Sequence, residues 1–139
     1  MWVRPDVVSC GAACANTILS REPDNYEITI YQGNILAFVG GHGNTVTTTS
    51  GAAVSIGTWQ NIIVSRASGV VTIYIDNTTP AQSTAGTVSG TMDNSSYALH
   101  LGIRPGGAHP MNGSVSDIVV WKRAITALER ADIHSAGAG

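Results

Sequence analysis

The chain has 139 residues, of which 43% are hydrophobic and 12% are charged, and its formal net charge is −2. This length fits one domain with a sizeable core. The near-neutral charge argues against nucleic acid or an anionic membrane surface as a partner. Every apolar run falls well short of the ~20 residues that a membrane-spanning helix needs, so the sequence predicts no such helix.

Short β patterns follow one another along most of the chain. Apolar and polar residues alternate, and clusters of Gly, Asn, Pro and Asp separate the runs, as in strands joined by turns. The predicted strands cover residues 2–4, 18–21, 26–31, 35–39, 45–50, 53–56, 60–66, 70–75, 84–89 and 97–103. Many short strands at this spacing predict an all-β fold, a two-sheet antiparallel jelly-roll sandwich that forms a single domain over residues 1–139.

The C-terminal run, residues 112–129, predicts one more strand that breaks into a short helical turn. An apolar stretch ends at Trp121, and the polar pair Lys122-Arg123 follows it. Thr126 then stands three residues before Glu129, the capping-box spacing in which each side chain satisfies a backbone amide of the first turn. A strand followed by one capped turn, in a chain with little other helical pattern, is a marker of the fold.

Several short motifs occur in a fixed order along the chain. They are Trp2-Val3-Arg4-Pro5, Ile18-Leu19-Ser20-Arg21, Tyr26-Glu27-Ile28, Gly57-Thr58-Trp59, Val71-Thr72-Ile73-Tyr74-Ile75-Asp76, Leu101-Gly102-Ile103 and the stretch from Asp117 to Ala124. In this order they resemble the motifs of laminin-G-like jelly rolls in the concanavalin A-like lectin/glucanase superfamily. Each motif alone would suit any hairpin, whereas the ordered set covers nearly the whole chain.

The resemblance implies a particular core and a particular open edge. Members of the family usually carry a further strand region ahead of the Trp-Val motif, where this chain has only Met1. We therefore expect an exposed sheet edge beside residues 2–4, which invites pairing with another copy or with a partner protein. We expect one buried face from Trp59, Ile62, Val64, Val71, Ile73 and Ile75, joined by Ile118, Val120 and Trp121.

The carboxylates predict that the domain is not an enzyme. The glucanase branch of the superfamily uses paired carboxylates on one strand, because retaining hydrolysis needs an acid and a nucleophile about 5–5.5 Å apart. This chain has three Glu residues, Glu22, Glu27 and Glu129, and none pairs with an Asp at strand spacing. The sequence also lacks a nucleophile-elbow motif for acyl transfer.

Two loops carry the residue types that bind sugars. His42 and Asn44 lie in a glycine-rich loop, and Arg104, His109 and Asn112 lie in or beside a loop that contains two prolines and two glycines. Imidazole, amide and guanidinium groups match pairs of sugar hydroxyls, and binding residues are often found on loops. The alternative is that both are ordinary solvated loops.

Metal and disulfide sites are each open to two interpretations. Asp76, Asp93 and Asn94 lie in oxygen-rich loops that could supply Ca²⁺ ligands, but Asx residues also form turns through their own backbone. Cys10 and Cys14 suit one disulfide across a turn or two free thiols, and a zinc site would need two more ligands. No other cofactor is predicted.

The favoured function is a non-catalytic structural, assembly or surface-decoration module, for example of a virion or a cell surface. The alternative is a glycan-binding adhesion module, as the resemblance implies. We expect a homo-oligomer or a partner protein that pairs through an exposed sheet edge. An extracellular or virion-surface location is expected, although no signal peptide is visible in this chain.

Overall fold

The structure is a computed structural model of the chain, and it describes residues 1–7, 15–21, 26–31, 35–40, 44–47, 54–78 and 98–137. The elements are β1 Trp2–Pro5, β2 Ala15–Arg21, β3 Tyr26–Tyr31, β4 Ile35–Gly40, β5 Asn44–Thr47, β6 Gln60–Ala67, β7 Val70–Ile75, β8 His100–Leu101, β9 Gly113–Ser116 and α1 Ala127–Gly137. Two antiparallel sheets form a jelly-roll sandwich, with strand orders β7-β6-β1-β9 and β5-β4-β3-β2-β8. The predicted fold class is therefore confirmed. No helix among the described residues is long and apolar enough to cross a membrane.

The core lies between the two sheets and consists mainly of β-branched side chains. Strands with these side chains pack well on a pleated surface, because their single favoured rotamer fits between neighbours. Each fully buried Val or Ile contributes about 1.5–3 kcal/mol relative to an exposed one. The buried cluster comprises Val3, Ile18, Leu19, Ile28, Ile30, Phe38, Val54, Ile62, Val71, Ile73 and Ile75.

The β6–β7 hairpin follows the sequence prediction closely. Ser68 and Gly69 have φ angles of 49° and 83°, and two positive φ values at the tip fit the turn type that matches the twist of paired strands. Ile62, Val71, Ile73 and Ile75 are buried as predicted, and Val64 is partly buried against the core. The alternation of the two strands is sufficient to fix their register.

The prediction that Trp59, Val120 and Trp121 belong to the core is wrong. Trp59 is 42% exposed and Trp121 is 51% exposed. β9 ends at Ser116, and Asp117 then takes a φ angle of 51°, which turns the backbone out of the extended conformation. Ile118 still packs against the core, but the apolar residues that follow it do not.

The open edge expected beside residues 2–4 is also absent. β1 lies between β6 and β9, with Trp2 opposite Asn61 on one side and opposite Ser116 on the other. The strand β9 therefore covers the edge of β1 that was expected to be open.

Two further predictions differ in extent from the structure. The strand predicted for residues 97–103 is reduced to His100–Leu101, because the backbone turns away at Gly102. The helix is longer than one turn and runs over Ala127–Gly137. Its side chains reach back to the four-stranded sheet, where His134 stacks on Trp2 and Arg130 lies 3.9 Å from the ring centroid of Tyr74.

Candidate functional site

The loop from residue 102 to residue 112, here called the clasp loop, holds three of the predicted ligand residues. It follows β8 and is bonded to β2 and, through Arg104, to β3 of the five-stranded sheet. The Gly102 amide donates to the Ile18 carbonyl (2.9 Å), and the Thr17 amide donates to the His109 carbonyl (3.1 Å). The Asn112 amide donates to the buried side chain of Asn16 (3.1 Å). Three separate hydrogen bonds therefore join the clasp loop to β2.

Arg104 reaches from the clasp loop to a buried carboxylate on β3. Its Nε donates to Glu27 Oε2 at 2.9 Å, and its Nη2 donates to the same oxygen. Thr17 Oγ1 donates to the other oxygen, Oε1, at 2.7 Å. Glu27 is 1% exposed and the Arg104 side chain is 24% exposed. Charge-assisted bonds of this kind are among the strongest in proteins, and they offset the cost of burying the charge.

The clasp loop is also bonded within itself. The Arg104 amide donates to the Ala108 carbonyl (3.0 Å), and the Met111 amide donates to the Gly102 carbonyl (2.7 Å). A 3-10 turn over Pro105–Gly107 narrows the loop, and His109 adopts a φ angle of 54°. These bonds and the fixed φ of Pro105 give the loop one defined conformation.

The second pair of predicted ligand residues, His42 and Asn44, is only partly described. Asn44 begins β5 and pairs with Gly40, which in turn pairs with Tyr26 beside Glu27. At about 4.8 Å per strand, the Asn44 backbone lies about 10 Å from Tyr26. His42 lies outside the described residues, and so do Asp93, Asn94, Cys10 and Cys14.

Asp76, the remaining calcium candidate, is used by the β6–β7 hairpin. Its Oδ1 accepts from the Asn61 amide (2.8 Å), and its Oδ2 accepts from Gln60 Nε2 (3.2 Å). Asp76 and Asn77 both have positive φ angles, as expected for Asx residues in a tight turn. Among the described residues, no group of three His, Cys, Asp or Glu side chains comes together as a metal site.

Residues 117–122, here called the closing segment, expose three consecutive apolar side chains. Val119, Val120 and Trp121 are 60%, 62% and 51% exposed. The Arg123 guanidinium lies 5.9 Å from the centroid of the Trp121 ring and donates to Glu129 (2.9 Å). Arg123 therefore connects the closing segment to the start of α1.

The capping box at the start of α1 is confirmed atom by atom. The Thr126 amide donates to Glu129 Oε2 (2.7 Å), and the Glu129 amide donates to Thr126 Oγ1 (3.2 Å). The hydrogen bond from Arg123, together with the bonds from Thr126, lowers the pKa of Glu129 to about 2. Nearby, burial lowers the pKa of the Met1 amino group, and the Asp117 carboxylate offsets part of that effect.

Two features were not predicted from the sequence: the burial of Glu27 against Arg104 and the exposure of the closing segment. Glu27 alternates with Ile28 along β3, which suggests a solvated face, but Glu27 is buried and bonded to Arg104. Glu27 and Arg104 are 77 residues apart, and no local pattern joins them. The sequence predicts the closing segment as core, because an apolar run after a strand has the same pattern whether or not another strand pairs with it.

Comparison with known proteins agrees with this fold. A family model described as the Concanavalin A-like lectin/glucanases superfamily, of the laminin-G type, matches residues 1–129. The chain therefore belongs to this superfamily.

One solved structure with a similar fold is an S-layer domain-containing protein, residues 221–444, from Clostridium thermocellum. It is 17% identical with a TM-score of 0.50, and the match covers 92% of this chain and 66% of that chain. At this identity the likeness concerns the fold alone, and this chain spans less than two thirds of that structure. No curated protein matches the sequence significantly.

Proposed function

We propose that this domain is a non-catalytic structural module that assembles with other protein chains at a surface, for example of a cell or a virion. The observation that carries the proposal is the closing segment, where Val119, Val120 and Trp121 are all more than half exposed. Contiguous apolar surface of this kind is typical of protein contact sites. A net charge of −2 supplies little repulsion between copies.

The state of the clasp loop supports assembly over glycan binding. Arg104 is the residue best suited to paired sugar hydroxyls, yet its Nε and Nη2 bond to Glu27. A sugar at this guanidinium would have to compete with a buried carboxylate. The same contact occupies Glu27, so its carboxylate is directed into the protein rather than towards a substrate.

A surface location agrees with the fold relationship. The similar structure from Clostridium thermocellum is named as an S-layer domain-containing protein. Surface layers are built from repeated protein contacts, and a small domain with an apolar contact site suits that kind of role. We extend this location to the present chain as part of the proposal.

Glycan binding is the second candidate, because the clasp loop is bonded to the sheet that contains Asn44, and the Asn44 backbone is about 10 Å from Tyr26 beside Glu27. A glycan site would involve His42, Asn44, Arg104, His109 and Asn112. His109→Asn tests it cleanly, because asparagine tolerates the positive φ and the backbone carbonyl that holds the loop remains.

Sedimentation velocity over a wide concentration range, together with a glycan array, separates the two functions. We expect the sedimentation coefficient to rise with concentration and the array to show no saturable signal. A chain that stays monomeric and binds a glycan, with binding lost in His109→Asn and in Asn112→Ala, would replace the assembly proposal with the adhesion one.

A further inference from the structure

The step from Asn112 to Gly113 joins the clasp loop to β9. Asn112 is the one asparagine in the sequence that is followed by glycine. An asparagine can cyclise when the amide nitrogen of the next residue attacks its side-chain carbonyl carbon. Glycine has no side chain to obstruct that approach, so this step is the one in the sequence that most favours the reaction.

The fold requires glycine at this position. Gly113 lies opposite Pro5 in the β1·β9 ladder and has a φ angle of 152°. A Cβ atom at Gly113 would collide with the Arg4 carbonyl oxygen and would lie 2.8 Å from the Pro5 Cα. Because no other residue fits against β1 here, the pairing that holds β9 in the sheet also retains the reactive pair of residues.

The Gly113 N–H points away from β1. The Asp6 amide donates to the Asn112 carbonyl at 3.0 Å, and the Pro5 carbonyl accepts instead from the Gly57 amide at 2.7 Å. Hydrogen-bonded and non-hydrogen-bonded pairs alternate along an antiparallel ladder, so Pro5 and Gly113 form a non-hydrogen-bonded pair. Since β9 is the outer strand of its sheet among the described strands, the attacking nitrogen faces the open edge.

Asn112 is exposed, and its side chain forms no hydrogen bond within the described part of the chain. Its backbone is bonded at two points, from its amide to Asn16 Oδ1 (3.1 Å) and from the Asp6 amide to its carbonyl (3.0 Å). Rotation about the Asn112 Cα–C bond, which brings the nitrogen to the side chain, breaks the bond from Asp6. That bond lies beyond the last pair of the ladder, where local opening costs little free energy.

We propose that Asn112 is a site of spontaneous deamidation and that its conversion loosens the attachment of the clasp loop to β9. The Gly113 nitrogen loses its proton and forms a bond to Asn112 Cγ, the bond from Cγ to Nδ2 breaks, and ammonia leaves. Water then adds to one of the two carbonyls of the resulting succinimide and opens the ring. The products are aspartate and isoaspartate, and water is the only co-reactant.

Isoaspartate changes the backbone at this junction. Its main chain runs through Cβ, which adds one atom between the amide that is bonded to Asn16 and the carbonyl that is bonded to Asp6. The two bonds have fixed partners on β2 and just beyond β1, so the longer backbone cannot keep both in place. Aspartate keeps the normal backbone and adds only a charge. The loosening is therefore specific to the isoaspartate product.

Incubation of the full chain in mildly alkaline buffer, followed by peptide mapping with mass spectrometry, tests the site. We expect conversion at Asn112 to be about tenfold or more faster than at Asn77, because the next residue there, Thr78, is β-branched and crowds the attack. Asn77 is a matched internal control, since its Oδ1 also accepts from Arg130 at 2.9 Å. The rate at Asn112 should lie within about tenfold of the rate in concentrated urea, because the opening is local.

Two variants separate the chemistry from its structural effect. Asn112→Gln keeps the amide but requires a six-membered ring, so we expect no conversion on the same timescale. Asn112→Asp carries the charge of the product on a normal backbone. Amide hydrogen exchange at Thr17 and Met111, whose N–H groups donate to clasp-loop carbonyls, should be several-fold faster in the aged unmodified chain than in Asn112→Asp.

The outcomes distinguish the two parts of the proposal. Conversion at Asn112 in urea but not in the folded chain would show that the fold protects the site and would overturn the proposal. Conversion in the folded chain with the same hydrogen exchange as Asn112→Asp would overturn the loosening of the clasp loop. Neither result bears on self-assembly, which sedimentation of the freshly prepared chain measures separately.

Discussion

The clasp loop and the closing segment differ in which side chains are buried: polar ones are buried under the clasp loop, and apolar ones are exposed in the closing segment. Under the clasp loop, Glu27 and Thr17 are almost fully buried although one is charged and the other is polar. In the closing segment, Val119 and Val120 are mostly exposed although both are apolar. From polarity alone, the residues under the clasp loop would be expected at the surface and those of the closing segment in the core.

The availability of partners explains both regions. Each oxygen of Glu27 accepts a hydrogen bond from another part of the chain, so its burial leaves the carboxylate satisfied. The closing segment leaves the sheet at Asp117 and has no described strand beside it. In these two regions, side chains are buried where their backbone and polar groups have hydrogen-bond partners. A partner protein that bound the closing segment would bury apolar side chains that are exposed in the single chain.

The largest test of this comparison is the removal of Arg104. Arg104→Met keeps the length and the apolar stem of the side chain but leaves the buried carboxylate without its cation. Breaking a buried pair from one side costs about 3–5 kcal/mol of unfolding free energy, and the partial exposure of Arg104 favours the lower end. Urea denaturation of the variant and the unmodified chain measures the difference.

The matched control removes both partners together. Glu27→Leu with Arg104→Met leaves no unpaired charge, so we expect it to recover most of the stability lost in the single variant. A single variant as stable as the unmodified chain would mean that the clasp loop is not held by this pair.

The second test compares a buried isoleucine with the two exposed tryptophans. Ile73→Ala should cost about 2–5 kcal/mol, because it opens a cavity between the sheets. Trp59→Ala and Trp121→Ala should each cost about 1 kcal/mol or less, since both rings are largely exposed. The measurement is thermal unfolding at a concentration where the chain is monomeric. A loss of several kcal/mol in either tryptophan variant would mean that this ring is buried in the core, contrary to the structure.

The elements with local patterns were predictable from the sequence. The strands over Tyr26–Tyr31 and Val70–Ile75 have the predicted bounds, because alternation and turn residues act over a few positions. The capping box at Thr126 and Glu129 was predicted for the same reason, since both partners lie within one helical turn.

The features that depend on distant residues were not predictable in this way. Nothing near Glu27 shows that Arg104 will cover it, because the contact depends on how the whole sandwich brings β3 and the clasp loop together. The exposure of Trp121 depends on where β9 stops, which is set at Asp117 by one backbone angle. The calcium and disulfide predictions at Asp93, Asn94, Cys10 and Cys14 remain predictions.

A smaller loss of stability is expected from a substitution where α1 contacts the four-stranded sheet. The Arg130 guanidinium lies over Tyr74, and its Nε donates to Asn77 Oδ1 at 2.9 Å. Arg130→Ala should cost about 1–2 kcal/mol through the lost cation–π contact and hydrogen bond. Leu128→Ala on the exposed side of the same helix is the control and should change stability by less than about 0.5 kcal/mol.

The smallest effect expected is a pH dependence at the start of α1. The pKa of Glu129 falls from 4.5 to about 2 in the folded chain, so its contribution to stability is complete above pH 4.5. That contribution is lost as the pH falls from there towards 2, because the unfolded chain binds the proton first. Protonation releases Arg123 and with it the support of the Trp121 ring.

Glu129→Gln isolates this group from the other carboxylates, because glutamine keeps the capping-box acceptor but does not titrate. The helical far-UV signal of the unmodified chain should decline more steeply between pH 4.5 and 2 than that of the variant. Since both partners are exposed, 1 M salt should reduce the difference. Identical pH profiles in low salt would show that Arg123 and Glu129 are not paired in solution, and the closing segment would then reach α1 without this link.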